Sequence, residues 1–200
     1  VSETQVGTLC AMPIAVMAIV VGAALSLAGA QMQTILANPL ASPFTLGISA
    51  AASFGAALGI VTSISLVPVA AGMLVPVNAF IVALAATLFI HFVSQLRGVT
   101  VQTVVLLGIA LVFSFNALLA FLQYLASEQA LSAVVFWTMG SLTKATWPKI
   151  WVTLAVLVLA VPLFARNAWA LTAIRLGEDK AASFGINVRR IRLETMLIIS

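Results

Sequence analysis

The sequence predicts an all-α polytopic membrane protein, and two observations lead to that class. No Asp, Glu, Lys or Arg occurs from Thr4 to Leu96, a run of 93 residues. A soluble domain needs charged surface throughout, and one bilayer crossing takes only about 20 residues. The composition agrees, because 63% of the residues are hydrophobic and 7% are charged, against about 25% charged in a typical soluble domain.

The first two crossings are predicted over residues 11–36 and 44–66, which are apolar runs of spanning length. A helix-break motif separates them: Asn38, Pro39, Ser42 and Pro43. The residue before each proline is pushed out of the α region, and Ser42 can cap the next helix with Pro43 at its first position. This structural role is favoured over a role in lining a transport path, which stays open.

Small residues repeat every four positions in both crossings and predict faces where another helix approaches closely. These helix-packing residues are Gly22, Ser26 and Ala30 in the first crossing, and Gly55 and Gly59 in the second.

Three further crossings are predicted over residues 77–92, 101–122 and 150–164, and a sixth begins near Leu193. Residues 128–142 are apolar but too short to span, which indicates a re-entrant or interfacial helix. The sequence thus predicts about five full crossings, one re-entrant or interfacial helix and the start of a sixth crossing.

The basic residues divide unequally between the two sides of this arrangement. Seven of the nine fall on one side (Arg97, Arg166, Arg175, Lys180, Arg189, Arg190 and Arg192) and two on the other (Lys144 and Lys149). The positive-inside rule makes the first side cytoplasmic. Because these residues flank hydrophobic segments, they indicate topology rather than nucleic-acid binding.

The residues that several functional sites require are absent from this sequence. There is no Gly-Lys pair, hence no phosphate-binding P-loop, and the single His91 and single Cys10 cannot build a metal cluster. No carboxylate lies within the predicted crossings, which argues against ion coupling in this part of the chain. We expect no enzymatic activity and no cofactor, and we interpret His91 as an interfacial side chain.

Residues 166–192 are hydrophilic by the standard of this chain and mix apolar with charged positions. Gly177 and Gly185 are expected to separate two short helices, with Gly185 in a left-handed helix cap. A compact amphipathic element of this kind suits docking into a groove of a partner. The alternative is a solvated loop whose arginines only set topology.

Three segments carry a resemblance to a known family. Residues 22–33 with residues 38–49, residues 136–142 with Trp147, and residues 176–188 resemble, in order and spacing, the signature segments of FecCD-type permeases. These are the membrane subunits of ABC importers for ferric siderophores, haem and vitamin B12. The resemblance implies a ten-helix subunit in the cell inner (plasma) membrane, of which residues 1–200 would be a fragment that lacks the first helix and the last three or four.

The resemblance also implies residue roles and partners. The cytoplasmic loop that couples to an ATPase would include Leu176, Gly177, Glu178, Ala181, Phe184 and Gly185, with Glu178 and Ala181 at the contact, and the outer re-entrant helix would include Trp137, Gly140 and Ser141. The implied partners are a separate ABC ATPase subunit, a periplasmic or lipoprotein solute-binding protein, a second permease subunit and membrane lipid.

One departure concerns docking of the solute-binding protein. Family members often carry basic residues where this chain has Ala11 and Ile14, so the docking must differ here or those positions are not essential.

The function predicted is translocation of a metal chelate, foremost a ferric siderophore, with haem or vitamin B12 as other substrates. The alternatives are an ion-coupled secondary transporter, whose titratable groups would lie outside this sequence, and a membrane protein with a structural role only.

Overall fold

The computed structural model describes residues 3–68, 71–96 and 99–199, so the predicted topology residue Arg97 lies outside the described part. The described residues form nine α-helices and two short 3₁₀ turns, at Ala71–Met73 and Leu142–Lys144. The helices are α1 (Glu3–Ile35), α2 (Ile48–Thr62), α3 (Leu74–Ser94), α4 (Val101–Leu125), α5 (Glu128–Met139), α6 (Trp147–Arg166), α7 (Ala168–Arg175), α8 (Glu178–Ser183) and α9 (Val188–Ile199).

Four helices in the described part are long and apolar enough to cross a bilayer. They are Ala11–Ile35 within α1, and the whole of α3, α4 and α6. The predicted all-α polytopic class is therefore confirmed, and the chain is a multi-pass membrane protein.

Helix α2 is shorter than the crossing predicted over residues 44–66. Its 15 residues extend about 22 Å at 1.5 Å per residue, which is less than a hydrocarbon core of about 30 Å. The helix begins after Gly47, whose φ is 79°, and ends at Ser63, whose φ is 57°. Both residues are in left-handed conformations, which cannot continue an α-helix.

Ser42 does not cap α2, contrary to its predicted role. It exchanges hydrogen bonds with Thr45: the Thr45 N–H donates to Ser42 Oγ (3.2 Å) and the Ser42 N–H donates to Thr45 Oγ1 (2.9 Å). This reciprocal pair closes a separate turn over residues 43–47, because Gly47 redirects the chain before α2 begins.

The face of α2 that carries Gly55 and Gly59 packs on α3. A Cβ built on Gly55 would lie 2.6 Å from the Asn78 carbonyl oxygen, and one built on Gly59 would lie 2.5 Å from Leu74 Cδ2. At Gly55 the contact is with the backbone of α3, so only glycine allows this approach, whereas at Gly59 it is with side chains. The same need exists at Gly108 of α4, which the sequence analysis missed: its added Cβ would lie 2.8 Å from Leu46 Cα.

The face of α1 that carries Gly22, Ser26 and Ala30 is exposed, unlike the face of α2. A Cβ built on Gly22 would meet nothing within 4 Å. The described part of the chain therefore supplies no helix against this face, and its predicted packing role would need a partner beyond it.

The helices form two groups that share one apolar core. Helix α2 packs against α3, α4 and α5, while α1 packs against α6, α7 and α9. The largest core cluster draws residues from both groups, including Met32, Leu46, Ile90 and Met196, each at most 1% exposed. Residues 166–192 therefore pack against the ends of α1 and α3.

Candidate functional site

Residues 166–192, which the family resemblance assigns to ATPase coupling and which are called the coupling loop below, fold into a compact unit made of α7, α8 and the start of α9. Gly177, with φ 118°, links α7 to α8, and Gly185, with φ 77°, ends α8. Both values lie in the region that favours glycine, as the sequence predicted for the Gly185 cap.

Gly185 closes α8 with two hydrogen bonds. The Ile186 N–H donates to the Ala181 carbonyl (3.1 Å) and the Gly185 N–H donates to the Ala182 carbonyl (2.9 Å). This pattern is a Schellman motif, which satisfies carbonyls that the helix end would leave unpaired. Helix α9 then starts at once, because Asn187 Oδ1 accepts from the Arg190 N–H (3.1 Å).

Ala181 lies inside the coupling loop and is fully buried. It forms a small core with Ala173 and Ile174, against which Ile186 and Val188 pack. The expectation that the Ala181 side chain lies at a partner contact is therefore wrong. A small residue is required there because α7, α8 and α9 pack together around it.

The exposed side of the coupling loop carries three large apolar side chains, which we call the aromatic surface: Trp169, Leu176 and Phe184. They are 66%, 61% and 59% exposed, and the Trp169 and Phe184 rings lie 6.0 Å apart between centroids. Leu176 and Phe184 were predicted from the sequence as part of this loop, whereas Trp169 was not. The signal was available, since an indole in a hydrophilic loop between crossings is unusual.

Charged side chains are also exposed in the coupling loop. Arg175, Asp179 and Lys180 are exposed. The backbone of Glu178 begins α8, and its side chain lies outside the described part. The coupling loop thus exposes both large apolar and charged side chains, a combination found in protein–protein interfaces.

The helix-break motif lies beside the coupling loop. Asn38, Pro39 and Arg175 line one cavity of about 410 Å³, together with Gln33 of α1. Asn38 also fixes its own turn, because its Oδ1 accepts from the Leu40 N–H (2.9 Å). The structure therefore brings two of the predicted sites together at one end of the bundle.

His91 lies at the same end, in the last turn of α3. It is 8% exposed and its ring contacts Gln95. It lines a cavity of about 630 Å³ together with Asp179, Asn187 and Arg189 of the coupling loop. His91 is therefore packed beside the coupling loop rather than projecting from the bundle.

The predicted outer residues lie together at the other end. Trp137, Gly140 and Ser141 line a cavity of about 300 Å³ with Lys144 and Lys149. Gly140 ends α5 with φ 71°, and Ser141 Oγ accepts from the Thr143 N–H (3.3 Å). The two lysines thus lie at the opposite end from the basic residues of the coupling loop.

Comparisons of the sequence identify its relatives. The sequence model of the FecCD transport family matches residues 2–200. A protein named as an ABC transporter permease in Methanocaldococcus jannaschii is 38% identical over 92% of this chain and 54% of the relative. The hemin transport system permease HmuU of Yersinia pestis and the vitamin B12 import permease BtuC of Vibrio vulnificus are each 34% identical, over 94% of this chain and 56% of the relative. The chain spans a little more than half the length of these relatives.

A solved structure supports the same relationship. It is described as a metal-chelate type ABC transporter in an inward-facing conformation, and it aligns over 100% of this chain and 63% of its own with a TM-score of 0.85 and 25% identity.

Proposed function

The chain belongs to the FecCD transport family, and from this premise we propose that it is part of the translocation subunit of an ABC importer in the cell inner (plasma) membrane. The substrate class we propose is a metal chelate, foremost a ferric siderophore. The names of the hemin and vitamin B12 permeases support this class, since both cargoes are large metal chelates.

The observation that carries the proposal is the exposed aromatic surface of the coupling loop. Trp169 and Phe184 lie on an element that is hydrophilic in composition and built on its own small core. Exposed apolar clusters with polar rims mark interaction sites, and Trp is enriched among the residues that dominate binding energy. We propose that this surface docks a separate ABC ATPase subunit in the cytoplasm.

The membrane-spanning part fits a passive role. The four spans contain no carboxylate, and their formal charges are Lys149 and Arg166 near the ends of α6. A large chelate needs a wide path with weakly polar walls, because no small ion must be stripped of water. ATP hydrolysis would occur in the partner and move the helices through the coupling loop.

Two further partners complete the proposal. The open face of α1 at Gly22 is available to a helix of the rest of the subunit or of a second permease subunit. A solute-binding protein would deliver the chelate at the end that carries Lys144 and Lys149. At the positions where family members often carry basic residues, this chain has Ala11, which is exposed, and Ile14, which is half-buried. Because both side chains are uncharged, neither supplies a charge for docking.

The test removes the aromatic surface from the full transporter. We expect Trp169→Ala and Phe184→Ala each to weaken ATPase association at least about thirtyfold, because deleting an interface anchor costs about 2 kcal/mol or more. Uptake into reconstituted vesicles should fall in parallel. Trp151→Ala is the matched control, since Trp151 is 63% exposed but lies on α6.

Full ATPase association and uptake in both variants would overturn the docking role. Uptake by the wild-type protein that persists without ATP would instead support an ion-coupled carrier.

A further inference from the structure

The carboxylate of Glu194 connects α9 to the residues at the start of the coupling loop. Glu194 of α9 accepts a hydrogen bond from Asn167 Nδ2 at Oε2 (3.1 Å) and one from Arg190 Nε at Oε1 (2.8 Å). Its Oε2 also lies 3.8 Å from Arg166 Nη2. We call Arg166, Asn167, Arg190 and Glu194 the base clamp. The Asn167–Glu194 bond joins residues 27 positions apart, one at the start of the coupling loop and one two residues beyond its end.

Asn167 is the junction between α6 and α7. Its N–H donates to the Phe164 carbonyl (3.1 Å) at the end of α6, and its own carbonyl accepts from the Leu171 N–H (2.9 Å) in α7. It is 8% exposed, so its side-chain amide is held within the protein. Any rotation of α7 relative to α6 must turn about this residue.

The geometry points to a mechanical role for this cluster. We infer that Glu194 is a positioning residue that makes α6 and α9 move together when the coupling loop is displaced. Without the clamp, the start of α9 could shift while α6 stays in place. Displacement of the coupling loop would then not be transmitted to the membrane-spanning helix α6. This inference rests on the proposed coupling function.

The two ion pairs of the clamp contribute little to folding stability. The Arg166 and Arg190 side chains are 67% and 74% exposed, and ion pairs of exposed side chains are screened and weak. The apolar core beneath, with Leu171 and Met196 at 4% and 1% exposure, holds the helices in contact. Loss of the clamp should therefore loosen their relative orientation and leave the fold intact.

The test measures chelate uptake per ATP hydrolysed by the complete transporter in vesicles. We expect Glu194→Ala and Asn167→Asp each to lower this ratio at least about fivefold, the lower end of typical coupling between sites. Asn167→Asp acts by placing two carboxylates side by side. The double variant Asn167→Asp/Glu194→Gln exchanges amide and carboxylate, so the same hydrogen bond forms in reverse, and the ratio should recover to within about twofold of wild type.

Arg189→Gln is the matched control, because Arg189 is an exposed arginine beside Arg190 and lies outside the base clamp. It should leave the ratio unchanged. The midpoint of thermal unfolding should stay at the wild-type value in Arg189→Gln and in the exchange variant, where the Asn167–Glu194 contact is kept or restored. If Glu194→Ala fails to assemble, the ratio of uptake to ATP hydrolysis in Asn167→Asp and in the exchange variant still tests the base clamp, since neither variant removes a side chain.

The outcomes separate this inference from the proposed function. A wild-type ratio in Asn167→Asp, or an exchange variant as impaired as the single one, overturns the base clamp. If Trp169→Ala and Phe184→Ala lower ATPase association and uptake at the same time, the coupling function stands without it. If they do not, the coupling function itself fails.

Discussion

The contact between α2 and α3 gives the sharpest test of the packing, through Gly55→Ala. The added methyl group would lie 2.6 Å from the Asn78 carbonyl oxygen and 3.0 Å from Ala79 Cα. Both are backbone atoms of α3, and the helix cannot retreat easily. The Asn78 side chain is bonded to the Ile64 carbonyl (2.7 Å) and to the Leu66 N–H (3.0 Å), which fixes α3 to the segment after α2.

The size of the effect follows from a comparison with Gly59→Ala. The methyl group at Gly59 would meet Leu74 Cδ2 at 2.5 Å, which is the end of a flexible side chain, and Asn78 Nδ2 at 3.0 Å. Both substitutions gain the same helix propensity in α2, so that gain of about 1 kcal/mol cancels. Overpacking costs about 1–3 kcal/mol when backbone must shift. We therefore expect the free energy of unfolding of Gly55→Ala to be lower than that of Gly59→Ala by about 1–2 kcal/mol.

The assay is thermal unfolding of the full-length subunit in detergent, followed by the fraction that remains monodisperse after heating. The expected order of stability places Gly55→Ala below Gly59→Ala. Equal midpoints for the two variants would refute the argument, because they would show that α3 yields as readily as a leucine side chain.

The remaining predictions concern topology, buried polar contacts and the coupling loop. In a Cys10→Ser background, an impermeant thiol reagent added to intact cells should label Lys144→Cys but not Arg175→Cys; the reverse result would invert the orientation. Asn78→Ala should cost about 1–3 kcal/mol of unfolding free energy, since it leaves two backbone groups without their partner; an unchanged thermal midpoint would contradict this. Gly185→Val should cut ATP-driven uptake severalfold while the subunit still assembles, because a β-branched residue is strained at φ 77°; wild-type uptake would show that α8 can end without this cap.

The membrane class and the turns of the coupling loop could be predicted from the sequence because both follow from local chemistry. An uncharged run of 93 residues is typical of chains that cross the bilayer several times, whatever the rest of the fold. Gly177 and Gly185 could be predicted as turn positions because glycine adopts a positive φ without the steric cost that other residues carry. The predicted family is also confirmed, since its signature segments are contiguous in sequence.

Other features depended on the tertiary structure because they arise between residues far apart in sequence. Ala181 is small because three helices meet around it, and its sequence neighbours do not reveal whether it faces a partner or a core. Asn78 and Glu194 find their partners 12–27 positions away, and no periodicity encodes those distances. The length of α2 was likewise decided by Gly47, whose left-handed turn fits against Gly108 of a helix some 60 residues later. Local propensity predicted most of the helices, whereas long-range packing decided which faces are buried and where α2 begins.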